Sequence, residues 1–198
     1  MTYDPAIHHR RSIRLRGYDY SQPGAYFVTL CTQKRKRLFG KIVNGEMRLN
    51  ETGRLVANHW EWLAEKYCRV LLDEYVVMPN HLHGIIVITD RTIDVMQRAS
   101  EKPAFLEKRK PIGRLIGAFK TLSTSQINQS LATSGNQLWQ RDFWEHIIRN
   151  EHELNLIRAY IRNNPAQWFN DSLKVKPEVA ASSEIKRSSG GTLNWNCH

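Results

Sequence analysis

The stretch Val76-Val77-Met78-Pro79-Asn80-His81-Leu82-His83-Gly84-Ile85-Ile86-Val87-Ile88 constrains the fold of this chain more than any other. It is apolar nearly throughout, rich in β-branched residues and interrupted only by a Pro-Asn step and two histidines, the pattern of a buried strand. Side chains alternate along a strand, so His81 and His83 share one face while Leu82 between them anchors the other. A buried imidazole needs a polar partner. The pair therefore admits two readings: satisfied core histidines, or two ring nitrogens presented to one metal ion.

The chain around this strand is long enough for one domain, with 198 residues of which 41% are hydrophobic. Lys and Arg total 29 against 19 Asp and Glu, a formal charge of +10, which suits a partner carrying phosphates or an anionic membrane surface. No run approaches the roughly 18 apolar residues of a membrane span. The N-terminus is polar and basic, unlike a signal peptide, so the expectation is a soluble cytoplasmic protein with no membrane partner. Cys31, Cys68 and Cys197 are odd in number and lack Cys-x-x-Cys spacing, which indicates neither a disulfide framework nor a zinc ribbon.

Residues 1–25 read as a basic arm and a turn. His8, His9, Arg10, Arg11, Arg14 and Arg16 cluster there with little apolar content, fitting either an arm laid against nucleic acid or a solvated tail. A strand is predicted over 26–32. Lys34, Arg35, Lys36 and Arg37 follow it, as phosphate contacts or as an ordinary charged loop. Asn44-Gly45 between short apolar stretches signals a hairpin within 41–49. Val56, His59, Trp60, Leu63 and Tyr67 recur at helical spacing, which predicts a core helix over 50–67 with Trp60 and Trp62 as packing residues. Residues 70–78 form a further strand, and Pro79-Asn80 turns the chain into the histidine strand.

A polar connector over 89–110 precedes a helix over 111–129. Its apolar face is Ile112, Leu115, Ile116, Phe119 and Leu122, with Arg114 and Lys120 off that face as cations on offer to a phosphate backbone. His146 alternates with Trp144 and Ile148 in a short strand and reads as a packing residue. The last helix is predicted over 151–164. Leu154, Ile157 and Ile161 line its apolar side, and Leu156, Tyr160 and Asn164 lie along the adjacent line. By itself Tyr160 reads as a core aromatic with its hydroxyl at the surface. Pro165 ends the helix and biases Asn164 away from helical dihedrals. From 171 to 198 the chain is rich in Ser, Lys, Glu and Gly and reads as a disordered tail. Interleaved helices and strands, the strands in hairpin pairs, predict one α+β domain over 26–170 with the helices on one face of the sheet.

Met78-Pro79-Asn80-His81-Leu82-His83 and, far downstream, Tyr160-Ile161-Arg162-Asn163-Asn164-Pro165 resemble the single-tyrosine HUH transposases. With Arg10-Arg11-Ser12-Ile13-Arg14-Leu15 and Gly24-Ala25-Tyr26-Phe27-Val28-Thr29, the likeness is to the REP-associated tyrosine transposases, over residues from about 10 to about 168. The resemblance implies a ferredoxin-like or RRM-like antiparallel sheet with helices packed on it. It implies Tyr160 as the nucleophile, and His81, His83 and Asn164 as ligands of Mg²⁺ or Mn²⁺. Single-stranded or hairpin DNA is the implied substrate, cut to a 5′-phosphotyrosine and a free 3′-hydroxyl. Arg10, Arg11, Arg14, Arg16, Lys34, Arg35, Arg37, Arg114 and Lys120 are the candidate DNA contacts, and monomer and homodimer are both left open.

Phosphodiester cleavage needs an in-line nucleophile, neutralisation of the developing phosphate charge and stabilisation of the leaving oxygen. Tyr160 supplies the first in this reading, and an ion on the histidine pair the others. A tyrosine nucleophile conserves the broken bond as a phosphotyrosyl ester, so strands rejoin without ATP. Two other readings use the same residues. One is a nucleic-acid-binding protein of this fold without cleavage. The other is a zinc-dependent hydrolase on His81, His83 and His146 or Glu145, with water attacking. A covalent DNA adduct separates the first reading from both.

Overall fold

The histidine stretch folds as the predicted pair of strands. In the computed structural model, which describes residues 15, 17–90 and 108–170, β4 (Val70–Met78) turns at Pro79-Asn80 into β5 (His81–Ile88). The basic arm with Arg10, Arg11, Arg14 and Arg16, most of the polar connector and the segment from 171 onward lie outside the described residues. β1 (Gly24–Cys31) pairs antiparallel with β5, and β6 (Trp144–Ile148) pairs antiparallel with β1, giving the sheet order β4-β5-β1-β6. β2 (Gly40–Val43) and β3 (Glu46–Leu49) form a separate two-stranded ribbon. Its turn has Asn44 at φ 51° and Gly45 at φ 78°, the paired left-handed residues that a two-residue hairpin needs.

The helices are α1 (Glu51–Lys66), α2 (Ile112–Ser130) and α3 (Glu151–Asn163), each within two residues of its predicted bounds. Two are capped as their sequences dictate. Asn50 Oδ1 accepts from Gly53 N at 2.9 Å, and Asn150 Oδ1 accepts from Glu153 N at 2.8 Å, each satisfying an amide that the first turn leaves without a helical partner. No helix among the described residues is long and apolar enough to cross a membrane.

The antiparallel α+β sheet is as expected, but its helices occupy both faces. Tyr26, Val28, Leu30, Leu82 and Ile86 point to one side, where Val56, Trp60 and Leu63 of α1 and Leu115, Ile116 and Phe119 of α2 cover them. Phe27, Ile85 and Ile148 point to the other, against Ile157 and Ile161 of α3. The physical reason is that β1 and β5 are apolar at consecutive positions, so neither side of the sheet tolerates water. Gly84 belongs to the first face. A Cβ there would come within 2.4 Å of Trp60 Cζ2, so the glycine of His-Leu-His-Gly lets the indole lie flat on the strand.

One irregularity positions α3. Between Leu72 and Tyr75 the β4–β5 register shifts at a β-bulge. Asp73 and Glu74 at the bulge reach α3, where Arg158 and Arg162 lie one turn apart. Arg158 Nε and Nη2 bond the two Asp73 carboxylate oxygens at 2.9 and 2.6 Å, and Arg162 Nη1 bonds Glu74 Oε1 at 2.6 Å. The bidentate pair fixes the helix in rotation as well as in distance.

Candidate active site

The sheet's α3 face ends in a polar cluster where β5 leaves its turn. His81 and His83 are both fully buried, with ring centroids 4.5 Å apart. β1 supplies the first partner: Thr29 lies opposite His83 in register, with its Oγ1 2.9 Å from His83 Nδ1. The turn supplies the second. His81 Nδ1 donates to Asn80 Oδ1 at 2.7 Å, and because a carboxamide oxygen only accepts, this bond keeps the proton on Nδ1 and the lone pair on Nε2. Asn80 is held in turn, its Nδ2 donating to Arg35 O at 3.3 Å and its own carbonyl accepting from Thr32 N at 2.9 Å. The histidine strand is thereby tied to the basic segment after β1.

Burial strips hydration from a charged imidazole, and it pushes His83 down to about 3. His81 is lowered well below the ordinary histidine range, first by burial and then by the neighbouring His83 and Arg35. Both rings are neutral at physiological pH, the form in which ring nitrogens serve as metal ligands.

α3 brings two further groups. Tyr160 OH lies 3.3 Å from His83 Nε2, with Phe27 perpendicular to the tyrosine ring and stacked on the His83 ring. Asn164 caps the helix and is buried. It keeps helical dihedrals, φ −57° and ψ −42°, contrary to the bias expected from Pro165. The reason is that the chain does not extend after α3 but tightens into further turns, with Gln167 N donating to Asn163 O at 3.2 Å and Trp168 N to Pro165 O at 3.3 Å. These turns place Trp168 over His81, the rings 6.1 Å apart and 29° from parallel.

The donor set fits a divalent cation. Asn164 Oδ1 is buried without a hydrogen-bond partner of good geometry, although the amide lies close enough to His81 to favour that ring's protonated form. An orphaned carboxamide oxygen beside two neutral imidazoles is an arrangement that a cation completes. The set a zinc hydrolase would require is not assembled: among the described residues no three His, Cys, Asp or Glu side chains gather to hold an ion. His146 sits opposite Phe27 and bonds Glu153 Oε1 at 2.6 Å, while Glu145 stands opposite Val28, on the other side of the sheet.

The candidate DNA contacts divide. Lys34, Arg35 and Arg37 lie in and beside the short 3₁₀ turn Gln33–Arg35 next to Asn80, with Lys34 and Arg35 in left-handed conformations at φ 56° and 51°. Non-glycine residues hold such angles only where their surroundings impose them, here the bonds from Asn80 and Thr32. Arg37 projects its guanidinium over the Trp168 ring at 5.7 Å. Arg114 and Lys120 are on α2, over the opposite face of the sheet. Lys120 Nζ donates to the carbonyls of Gln140 and Asp142 at 2.8 and 3.0 Å and pins the loop that leads into β6. Thr29, Asn80 and Trp168 escaped the sequence reading. Asn80 adjoins His81 and was open to suspicion, whereas nothing in the chain links Thr29 or Trp168 to the pair before folding.

A four-stranded antiparallel sheet with a histidine pair at one strand end and a tyrosine-bearing helix laid over it defines the class of the molecule. No protein-family model matches the chain. It is 40% identical over 178 residues, 87% of its length and 97% of the other's, to a Haemophilus influenzae protein named only as uncharacterized. It is 22% identical over 149 residues, 75% of its length and 74% of the other's, to a protein of the same organism provisionally named a REP-associated tyrosine transposase. Among solved structures, that of a REP-associated tyrosine transposase bound to a REP hairpin matches with a TM-score of 0.50 at 15% identity, covering 91% of this chain and all of that one. The chain belongs to one family with the 40% identical Haemophilus protein, and in sequence and fold it is allied to the REP-associated tyrosine transposases.

Proposed function

We propose that this chain is a transposase-type enzyme that nicks and rejoins single-stranded DNA through a covalent phosphotyrosine on Tyr160. The observation that carries the reading is the 3.3 Å approach of Tyr160 OH to His83 Nε2, between groups 77 residues apart in the chain. A structural tyrosine has no need to meet a buried histidine pair. Hairpin-forming DNA is the substrate class favoured by the fold neighbour that was solved with a REP hairpin.

The chain's own groups divide the work. Thr29 and Asn80 orient the two imidazoles through their Nδ1 atoms, so His81 keeps its lone pair on Nε2, and His83 does so when its Nδ1 donates to Thr29. With its proton on Nδ1 and no ion bound, His83 accepts at Nε2 from the Tyr160 hydroxyl and holds the phenol oxygen beside the pair; a bound ion would take that lone pair in place of the phenol proton. His81 Nε2, His83 Nε2 and Asn164 Oδ1 are the atoms that would hold Mg²⁺ or Mn²⁺. Such an ion, when bound, polarises the phosphate and stabilises the departing oxygen, and its neutral ligands leave its charge undiminished. In the reaction the phenol loses its proton, its oxygen bonds to phosphorus, and the bond from phosphorus to the 3′ oxygen breaks. The 3′ oxygen takes up a proton and the 5′ side stays on Tyr160. Attack by another 3′-hydroxyl reverses each change, so no energy source is consumed.

Incubating the protein with hairpin-bearing oligonucleotides and Mn²⁺ tests the reading on a denaturing gel. The expected result is a protein-linked DNA band that yields phosphotyrosine at Tyr160 by mass spectrometry and is absent for Tyr160→Phe. Nicking that survives in Tyr160→Phe would assign the attack to water, and binding without any adduct would make the chain a binding module.

A further inference from the structure

The turns after α3 do more than cover His81. Between Trp168-Phe169, the start of β2 and Pro79 lies a cleft of about 340 Å³, whose walls include Arg37, Lys41, Ile42, Pro79, Trp168 and Phe169. It adjoins the candidate active site directly. Trp168 is stacked on His81 on behalf of the site and lines the cleft as well, and Pro79 precedes the Asn80-His81 step.

Three features give it a chemical preference. Phe169 is 72% exposed, far more than the ring beside it, Trp168, at 4%. A phenylalanine held in water at the lip of a cleft forfeits most of its burial energy and presents a flat apolar face. Arg37 and Lys41 are the charged residues of the wall, both cationic and both exposed, and the stack on Trp168 keeps Arg37 from swinging away. Ile42 and Pro79 add apolar surface. An aromatic face, apolar walls and two cations form the set that grips a base by stacking and its backbone by charge. The volume suits one small ligand and is too small for a duplex.

We propose that this cleft is a subsite for one unpaired nucleotide adjoining the scissile phosphate, its base against Phe169 and its phosphate on Arg37 and Lys41. The proposal rests on the reading of the histidine–tyrosine cluster as a single-strand nicking site and says where the strand runs beyond it. Because Trp168 touches both, filling the cleft also sets the ring that lies over His81.

The test uses the full chain and the oligonucleotide whose nick has been located by adduct mapping. 5-Iodo-deoxyuridine is placed singly at successive positions on both sides of the nick, irradiated in the complex, and the crosslinked peptide identified. Crosslinking to Phe169 or Trp168 from one position beside the nick is expected. Phe169→Ala should weaken binding about 10-fold, with Phe169→Trp restoring it, and the loss should vanish when the oligonucleotide is cut back before that position. Lys41→Gln should lower the slope of log affinity against log salt by about 0.7. If the Tyr160 adduct forms but the crosslinks map elsewhere and these variants bind the extended oligonucleotide like wild type, the subsite is refuted and the nicking site stands. If wild type forms no adduct and binds no single strand, both fail.

Discussion

The two faces of the central sheet bury different things. On the α1–α2 side the cover is a continuous apolar layer of Tyr26, Val28, Leu30, Leu82 and Ile86 under Trp60, Leu63, Leu115 and Phe119, and its buried polar groups are few and scattered: Trp139 Nε1 donates to Ser123 Oγ at 2.9 Å, Trp60 Nε1 is buried without a hydrogen-bond partner among the described residues, and Glu145 is buried opposite Val28. On the α3 side only Phe27, Ile85, Ile148, Ile157 and Ile161 form a fully buried apolar cluster, edged by partly buried side chains such as Val76, Trp144 and Leu154, and His81, His83, Thr29 and Asn164 are buried beside it with Tyr160 half-buried. Burying two imidazoles and an amide costs free energy that hydrogen bonds offset only in part. The first face supplies the stability that the second draws down. Substitutions on one should therefore act on folding with little effect on chemistry, and substitutions on the other should do the reverse.

The largest separation is expected at Tyr160. Tyr160→Phe removes a half-buried hydroxyl and should abolish the covalent adduct, lowering nicking by roughly 10⁴-fold or more, while the urea midpoint hardly moves. Trp60→Ala should destabilise by about 3–5 kcal/mol in urea denaturation, yet the folded fraction at low temperature should still form adduct. If adduct formation per folded molecule fell as steeply as for Tyr160→Phe, the two faces would be coupled and the comparison would break. Gly84→Ala sharpens it, because the added methyl points at Trp60 from the strand that carries His81 and His83. A loss of about 1–3 kcal/mol is expected from overpacking. Any additional loss of nicking would report how far the strand shifts.

The smallest effect is at the bulge. The hydrogen bond from Arg158 holds Asp73 below the usual carboxylate range. A carboxylate whose folded pKa is depressed contributes stability that is full above its unfolded value of about 3.9 and is lost as pH falls through the folded value. Asp73→Asn should remove that contribution, flattening the acid limb of the stability profile and raising the acid midpoint by less than about one pH unit. It should also loosen Tyr160 against His83, seen as slower adduct formation at saturating DNA. An unchanged rate would mean that the apolar contacts of Ile157 and Ile161 suffice to place α3.

Much of this was legible in the chain because local rules decided it. Alternation put His81 and His83 on one face, Asn44-Gly45 made the hairpin, Asn50 and Asn150 began helices, and the 3.6-residue period put Tyr160 at the edge of a buried stripe. What the chain left open has a common cause. Periodicity shows that Lys120 is on the polar side of its helix, not that the Gln140 and Asp142 carbonyls stand there. Pro165 biases Asn164 away from helical dihedrals, but a proline bias is a statement about two residues, and the turns through Trp168 override it. Interleaved helices and strands predict helices on one face, but strands apolar at consecutive positions make two apolar faces, and these need two covers.

By itself, then, the sequence determined the elements, the pairing of β4 with β5 and the shared face of the two histidines, since each follows from contacts between residues close in the chain. Only the tertiary structure decided that Tyr160 meets His83, that Thr29 holds His83 from the neighbouring strand, that Asp73 and Glu74 clasp Arg158 and Arg162, and that Trp168 closes over His81. These partners lie 54 to 88 residues apart. Their meeting depends on the sheet order and on the register shift at the bulge, and no local period of the chain encodes either.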